Sequence, residues 1–237
     1  MTRTLLAAAL LLSLLAQARA QEPGLQTLRL GDFTLESGEV VRDFGIAYMT
    51  DGTLNAAKSN VVLMVTAIGG NHHRIDYMIG PGKALDTDRL FVVKTNAIGN
   101  GLTTSPSNSA AQRGPDFPHF TIRDMVESQN RLLQHLGIPH LVAVVGASMG
   151  GMQVLQWGVS HPEMMDGLIA LTPMARTTPW SIAVNHATRR VVSQFEFLGP
   201  DLTGMLTVMH VASHVGKFGL GFHWSSIHLL DIRHINN

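Results

Sequence analysis

Ser148 is the residue whose neighbours best equip it for chemistry. It sits in Gly146-Ala147-Ser148-Met149-Gly150-Gly151, directly after the apolar run Leu141-Val142-Ala143-Val144-Val145. A short β-branched run of this kind predicts a buried strand, and G-x-S-x-G after a strand is the pattern of a nucleophile elbow. Glycines two residues either side of the serine allow a sharp turn from strand into helix, because a Cβ at either place would collide with neighbouring backbone. The turn lifts the Ser148 hydroxyl clear of the sheet and aims the following backbone N–H groups at one point. That geometry suits acyl transfer, whose tetrahedral oxyanion needs donors already in place. Ser148 is the expected nucleophile, taking an acyl group and passing it to an alcohol or to water. The Met149 backbone N–H is expected to form half of the oxyanion hole, with the other half on the loop after the strand Val61–Val65.

The remaining candidate groups carry less. His72 and His73 are adjacent, but no carboxylate or third histidine stands near them in sequence at metal-ligand spacing, so they read as loop residues. Asp86-x-Asp88 is short of a calcium loop and reads as a solvated turn. His210 and His214 are four residues apart but lack the glutamate of H-E-x-x-H. No metal site is expected, and most of the methionines read as core filler.

The elements that must position Ser148 follow from the rest of the chain. It has 237 residues, no cysteine and formal charge +0 at pH 7. The length predicts one domain with a full core, and the charge balance gives no reason to expect a nucleic acid or an acidic membrane surface as partner. Without cysteine there are no disulfides, thiol nucleophiles or thiolate metal sites. Residues 1–20 read as a secretory signal peptide: Arg3, an apolar run from Leu5 to Leu15, then Ala18-Arg19-Ala20 as a cleavage pattern. An exported protein is therefore expected, with no stable membrane insertion after cleavage, since no later run is long and apolar enough to span a bilayer.

Phe33 to Tyr48 alternates and turns at glycines, predicting a hairpin or meander. Buried-type strands are expected at 60–65, 90–93, 141–145 and 167–171. A long polar loop from Asn96 to Phe120 is expected to be functional or mobile. Thr121 and Asp124 predict a helix start and Gly137 its end, and a second helix is expected from about Gly151 to Ser160. Strands alternating with helices predict an α/β protein with a mostly parallel central sheet and helices on both faces.

Several longer stretches carry a family resemblance. They are Phe33-x-Leu35-Glu36-Ser37-Gly38, Tyr48-x-Thr50-x-Gly52-x-Leu54-Asn55, Ile79 to Arg89, Phe117-Pro118-x-Phe120-Thr121-Ile122-Arg123-Asp124-Met125-Val126, and Ser148-Met149-Gly150-Gly151-Met152-Gln153. Together they resemble the homoserine O-acetyltransferase group of the α/β-hydrolase superfamily, over residues from about 33 to 192. The resemblance implies an α/β-hydrolase fold and a serine acyl-enzyme. It also implies an acyl-CoA co-substrate rather than a bound cofactor, a homoserine-like acceptor, and a homodimer. The group's His-Ala-Leu-Thr-Gly motif is matched by Thr66-Ala67-Ile68-Gly69-Gly70, which puts Ile68 at the second main-chain donor of the oxyanion hole. Arg189, with Arg190 as its rival, falls where the group holds its substrate's carboxylate with an arginine, whose forked donors suit that anion. The loop Gly99–Asn108 is closer to exported hydrolase members, for which water and an ester replace the alcohol and the thioester. The signal peptide points the same way, acyl-CoA being cytoplasmic.

The resemblance stops near Gln194. Residues 21–195 read as the α/β-hydrolase core and 196–237 as an atypical tail. The stretch after Ser148 is short for a lid, an acid strand and a base strand together, so the lid and the C-terminal part of the sheet are expected to be incomplete. On one reading the tail is truncated or out of frame, acid and base are missing, and the sheet has an exposed apolar edge. On the other, Asp201 serves as the acid and His228 or His234 as the base. A non-catalytic member that keeps the elbow as scaffold is the third alternative.

Overall fold

The computed structural model describes residues 22–176, 178–183 and 186–187. The signal peptide, Arg189, Arg190 and the tail with Asp201, His228 and His234 lie outside them.

Six strands form one sheet in the order β1-β2-β4-β3-β5-β6. They are β1 (Gln26–Thr34), β2 (Val40–Asp51), β3 (Val61–Val65), β4 (Phe91–Thr95), β5 (Ala143–Ala147) and β6 (Leu168–Leu171). β1, β2 and β4 pair antiparallel, and β4, β3, β5 and β6 run parallel. The hairpin begins at Gln26, seven residues before Phe33. Its first half lies at the sheet edge and shows mixed polarity, and the register shifts at Gly31, whose φ of 70° marks a bulge that breaks the alternation.

Two helices follow the sequence signals closely. Helix α1 (Ile122–His135) opens with a capping box in which Thr121 Oγ1 accepts from the Asp124 N–H and Asp124 accepts from the Thr121 N–H. It closes on Gly137 at φ 63°, with the Ile138 N–H donating to the Leu133 carbonyl as in a Schellman motif. Helix α2 (Met149–Ser160) starts at once after Ser148, two residues earlier than expected, because the elbow enters the helix without a connecting residue.

Strand side chains alternate between the faces, and the two faces are covered differently. Leu63, Val65, Val93 and Val144 pack against Met125, Leu132 and Leu133 of α1 and Val154 and Trp157 of α2. Val62, Met64, Val92 and Val145 pack against Ile75, Ile79 and Leu85, which belong to the irregular segment between β3 and β4. β6 is the outermost strand among the described residues, with Leu168 and Ile169 42% and 43% exposed.

The loop 96–120 is stitched to β2 through its own hydroxyls and amides. Thr103 and Thr104 are buried and accept from the N–H groups of Ala47 and Gly45, and Asn100 and Asn108 bond the loop's own backbone. Short polar side chains that mimic backbone partners let a long irregular segment pack without a ladder.

Candidate active site

The site is built around the junction of β5 and α2. Ser148 is exposed and has φ 56° and ψ −120°, a conformation that side-chain-bearing residues rarely adopt. Its surroundings hold it there. The Ser148 N–H donates to the Leu171 carbonyl at 2.9 Å, and its carbonyl accepts from Met152 at 3.1 Å. A Cβ on Gly146 would lie 2.7 Å from the Gly150 backbone, and one on Gly150 would lie 2.7 Å from the Val65 carbonyl. One on Gly151 would meet the Leu171 carbonyl at 2.9 Å. The glycine requirement expected for positions 146 and 150 is met, and Gly151 shares it. A second strained residue abuts the elbow: Thr172 has φ 46°, uncommon for a β-branched side chain, immediately after the carbonyl that Ser148 bonds.

The proposed oxyanion donors occupy the matching elements. Met149 is the first residue of α2, so its N–H has no carbonyl four residues back within the helix. Ile68 follows the end of β3 in a turn closed by the Gly70 N–H on the Ala67 carbonyl, and its side chain is 63% exposed. Just before it, Thr66 is fully buried, and its Oγ1 accepts from the Ala97 N–H at 3.1 Å. Among the described residues no side chain hydrogen-bonds Ser148 Oγ. Arg189, expected to hold a carboxylate, lies outside the described residues.

The structure corrects the sequence reading of His72 and His73. A carboxylate does stand beside them, Glu22, brought some fifty positions along the chain by the segment leading into β1. Glu22 bridges both rings, at 3.2 Å from His72 Nε2 and in close contact with His73 Nε2, while Asp76 takes His73 Nδ1. Asn96 lies against the buried His72: its Oδ1 accepts from the His72 N–H and from Asn100, and its Nδ2 faces the Ala47 carbonyl. His72 Nδ1 stands 3.0 Å from Asn96 Nδ2 and 3.4 Å from Asn96 Oδ1. Glu22, His72 and His73 form a hydrogen-bonded clasp whose ligand-type atoms lie within 4.8 Å of one another.

Its charges respond to that arrangement. The hydrogen bond to Asp76, and then that to Glu22, raise His73 above its ordinary 6.5 against the cost of burial. The His73 hydrogen bond holds Glu22 below 4.5. Burial alone would raise Asp76, but hydrogen bonds from His73 and Lys94 outweigh it and hold Asp76 below 3.8. Asp86-x-Asp88 is a turn as expected, with Asp86 Oδ1 accepting from the Gly82 and Asp88 N–H groups.

Comparison with known proteins agrees with the fold. Residues 60–216 match the family model described as the alpha/beta hydrolase fold. The chain belongs to this family. It is 43% identical over 188 residues to a homoserine O-acetyltransferase of Moorella thermoacetica, a match covering 72% of this chain and 49% of that one. The chain thus spans about half the length of that curated relative. An acetylester hydrolase from Corynebacterium glutamicum superposes with a TM-score of 0.76 at 32% identity, covering 93% of this chain and 70% of that one. The acetyl esterase MekB superposes with a TM-score of 0.79 at 26% identity, covering 92% of this chain and 72% of that one.

Proposed function

We propose that Ser148 carries an acyl group between a donor and an acceptor, and that this chain is a homoserine O-acetyltransferase-like acyltransferase. The observation that carries the reading is the exposed Ser148 in its strained conformation at the head of α2, with Met149 the first residue of that helix. In the first half-reaction Ser148 Oγ attacks the acyl carbonyl carbon while its proton passes to a base. The oxyanion forms between the two N–H groups, then collapses and expels the donor's thiol or alcohol, which takes the proton from the base. In the second, the acceptor hydroxyl gives its proton to the base as it attacks the acyl-serine, and the base passes that proton to Ser148 Oγ as it leaves. The donor fitting the transferase lineage is an acyl-CoA and the acceptor a homoserine-type alcohol, with Arg189 the candidate for the acceptor's carboxylate. The base and its acid are to be sought beyond the described residues, where His228, His234 and Asp201 are the first to test.

Two acetylester hydrolases among the structural neighbours support a second reading, in which water takes the acyl group. The leader-like residues 1–20 favour it, because they propose an exported protein that meets esters rather than CoA thioesters. One experiment separates the two. The protein is given acetyl-CoA with homoserine, and separately p-nitrophenyl acetate without CoA. Formation of O-acetylhomoserine that is lost in Ser148→Ala supports the transferase. Ester hydrolysis with no homoserine product supports the esterase and overturns the leading reading.

A further inference from the structure

Gln153 lies one helical turn after Met149, and its amide is fully buried. Its Nε2 donates to the Thr66 carbonyl at 2.8 Å and lies 3.4 Å from the Met149 carbonyl. Its Oε1 accepts from Gln129 Nε2 of α1 at 2.6 Å, and Gln129 Oε1 in turn accepts from Trp157 Nε1 at 2.8 Å. All three side chains are fully buried, and each side-chain nitrogen and oxygen of the chain Trp157-Gln129-Gln153 has a hydrogen-bond partner. A buried polar chain is costly unless completed and specifies geometry when complete.

We infer that Gln153 is a positioning residue for acyl transfer: it ties the loop that carries the Ile68 N–H to the helix that carries the Met149 N–H. The inference rests on the acyl-transfer reading of Ser148. One amide nitrogen reaches both halves of the oxyanion hole, at Thr66, two residues before Ile68, and at Met149 itself. The Thr66 carbonyl is the one group between β3 and Ile68 that a side chain of α2 grips, and Thr66 Oγ1 is held from the other side by Ala97. The backbone at Val65 and Thr66 also lies against Gly150, so the loop is pressed onto the helix start while Gln153 fixes its rotation. Gln129 and Trp157 fix the rotamer of Gln153 from behind. An oxyanion hole depends on such pre-set separation, because its donors must meet an oxygen that exists only in the transition state.

The test uses the full chain and two readouts. The first is the second-order rate at which a fluorophosphonate labels Ser148, whose oxygen displaces fluoride from phosphorus and leaves an oxyanion-like oxygen for the same donors. Gln153→Met, which keeps volume but cannot donate, is expected to slow labelling by roughly 10- to 100-fold, as small misplacements of reacting groups do. Gln129→Met, one bond further from the site, is expected to slow it less. The second readout is amide hydrogen exchange, which needs no activity. It is expected to rise in residues 66–70 while 61–65 and α1 stay protected. If Gln153→Met unfolds, Gln129→Met carries both readouts. Normal labelling in a folded variant overturns the inference, and so does exchange rising evenly across β3, α1 and α2, the mark of a merely structural amide. Wild-type protein that takes no label overturns the acyl-transfer reading instead, and leaves Gln153 no reaction to position.

Discussion

The two faces of the sheet are closed by different physics. On one, α1 and α2 bring Leu132, Leu133, Val154 and Trp157 onto Leu63, Val65 and Val144, and the buried side chains of Gln153, Gln129 and Trp157 are bonded end to end between the helices. On the other, the irregular chain between β3 and β4 supplies Ile75, Ile79 and Leu85 and is pinned by charge. Lys94, on β4 and 2% exposed, holds Asp51 at 2.8 Å and Asp76 at 3.1 Å, and Asp76 continues to His73 and Glu22. Neutral amides fix distances and change little with pH. Ion pairs at a half-exposed rim hold a segment whose grip depends on protonation and salt. The loop proposed to carry the Ile68 donor lies between the two systems, its Thr66 gripped by Gln153 and its far end leading into the clasp at His72.

That contrast orders the expected effects. The largest belongs to the helix face. Trp157→Ala removes the largest fully buried side chain among the described residues and orphans Gln129 Oε1. A loss of about 3–5 kcal/mol is expected, read by urea denaturation. On the other face, Lys94→Met leaves the buried Asp51 Oδ2 without its cation, while Asp76 keeps His73 and the two carboxylate side chains are 34% and 41% exposed. A smaller loss, about 1–3 kcal/mol, is expected. A loss from Lys94→Met as large as that from Trp157→Ala would break the distinction between the faces.

The smallest effect is one of pH. Because His73 is raised in the folded state, its contribution is full below about 6.5 and fades as pH rises through the raised value. Glu22 and Asp76 are lowered, so theirs are full above about 4.5 and 3.8 and fade as pH falls through the lowered values. The clasp is tightest between about 4.5 and 6.5. Proteolytic nicking just before β1 is expected to be slower at pH 6 than at pH 9, and His73→Gln is expected to flatten the difference. Nicking that follows the same pH profile in that variant would show that other groups hold the segment.

What could be read in the sequence is what local geometry dictates. The elbow, the Thr121–Asp124 capping box and the Gly137 stop depend on neighbours within a few residues, and each is found where those residues place it. The start of β1 was hidden because an edge strand shows both polarities and Gly31 shifts its register. Glu22 beside His72 and His73 was illegible because only the chain's path over the sheet joins them. The Gln129–Gln153 pair is of the same kind. Two glutamines on different helices look like surface residues until helix packing buries them together, although Gln153 belongs to the Ser148–Gln153 motif.

The most direct test of the central claim is to trap the acyl-enzyme. The full chain is mixed with p-nitrophenyl acetate, quenched in acid and digested, and the peptide holding Ser148 is weighed. An acetyl group is expected on Ser148 in the wild type and none in Ser148→Ala. A wild-type peptide that remains unmodified while p-nitrophenol is released at the same rate in both proteins would contradict it.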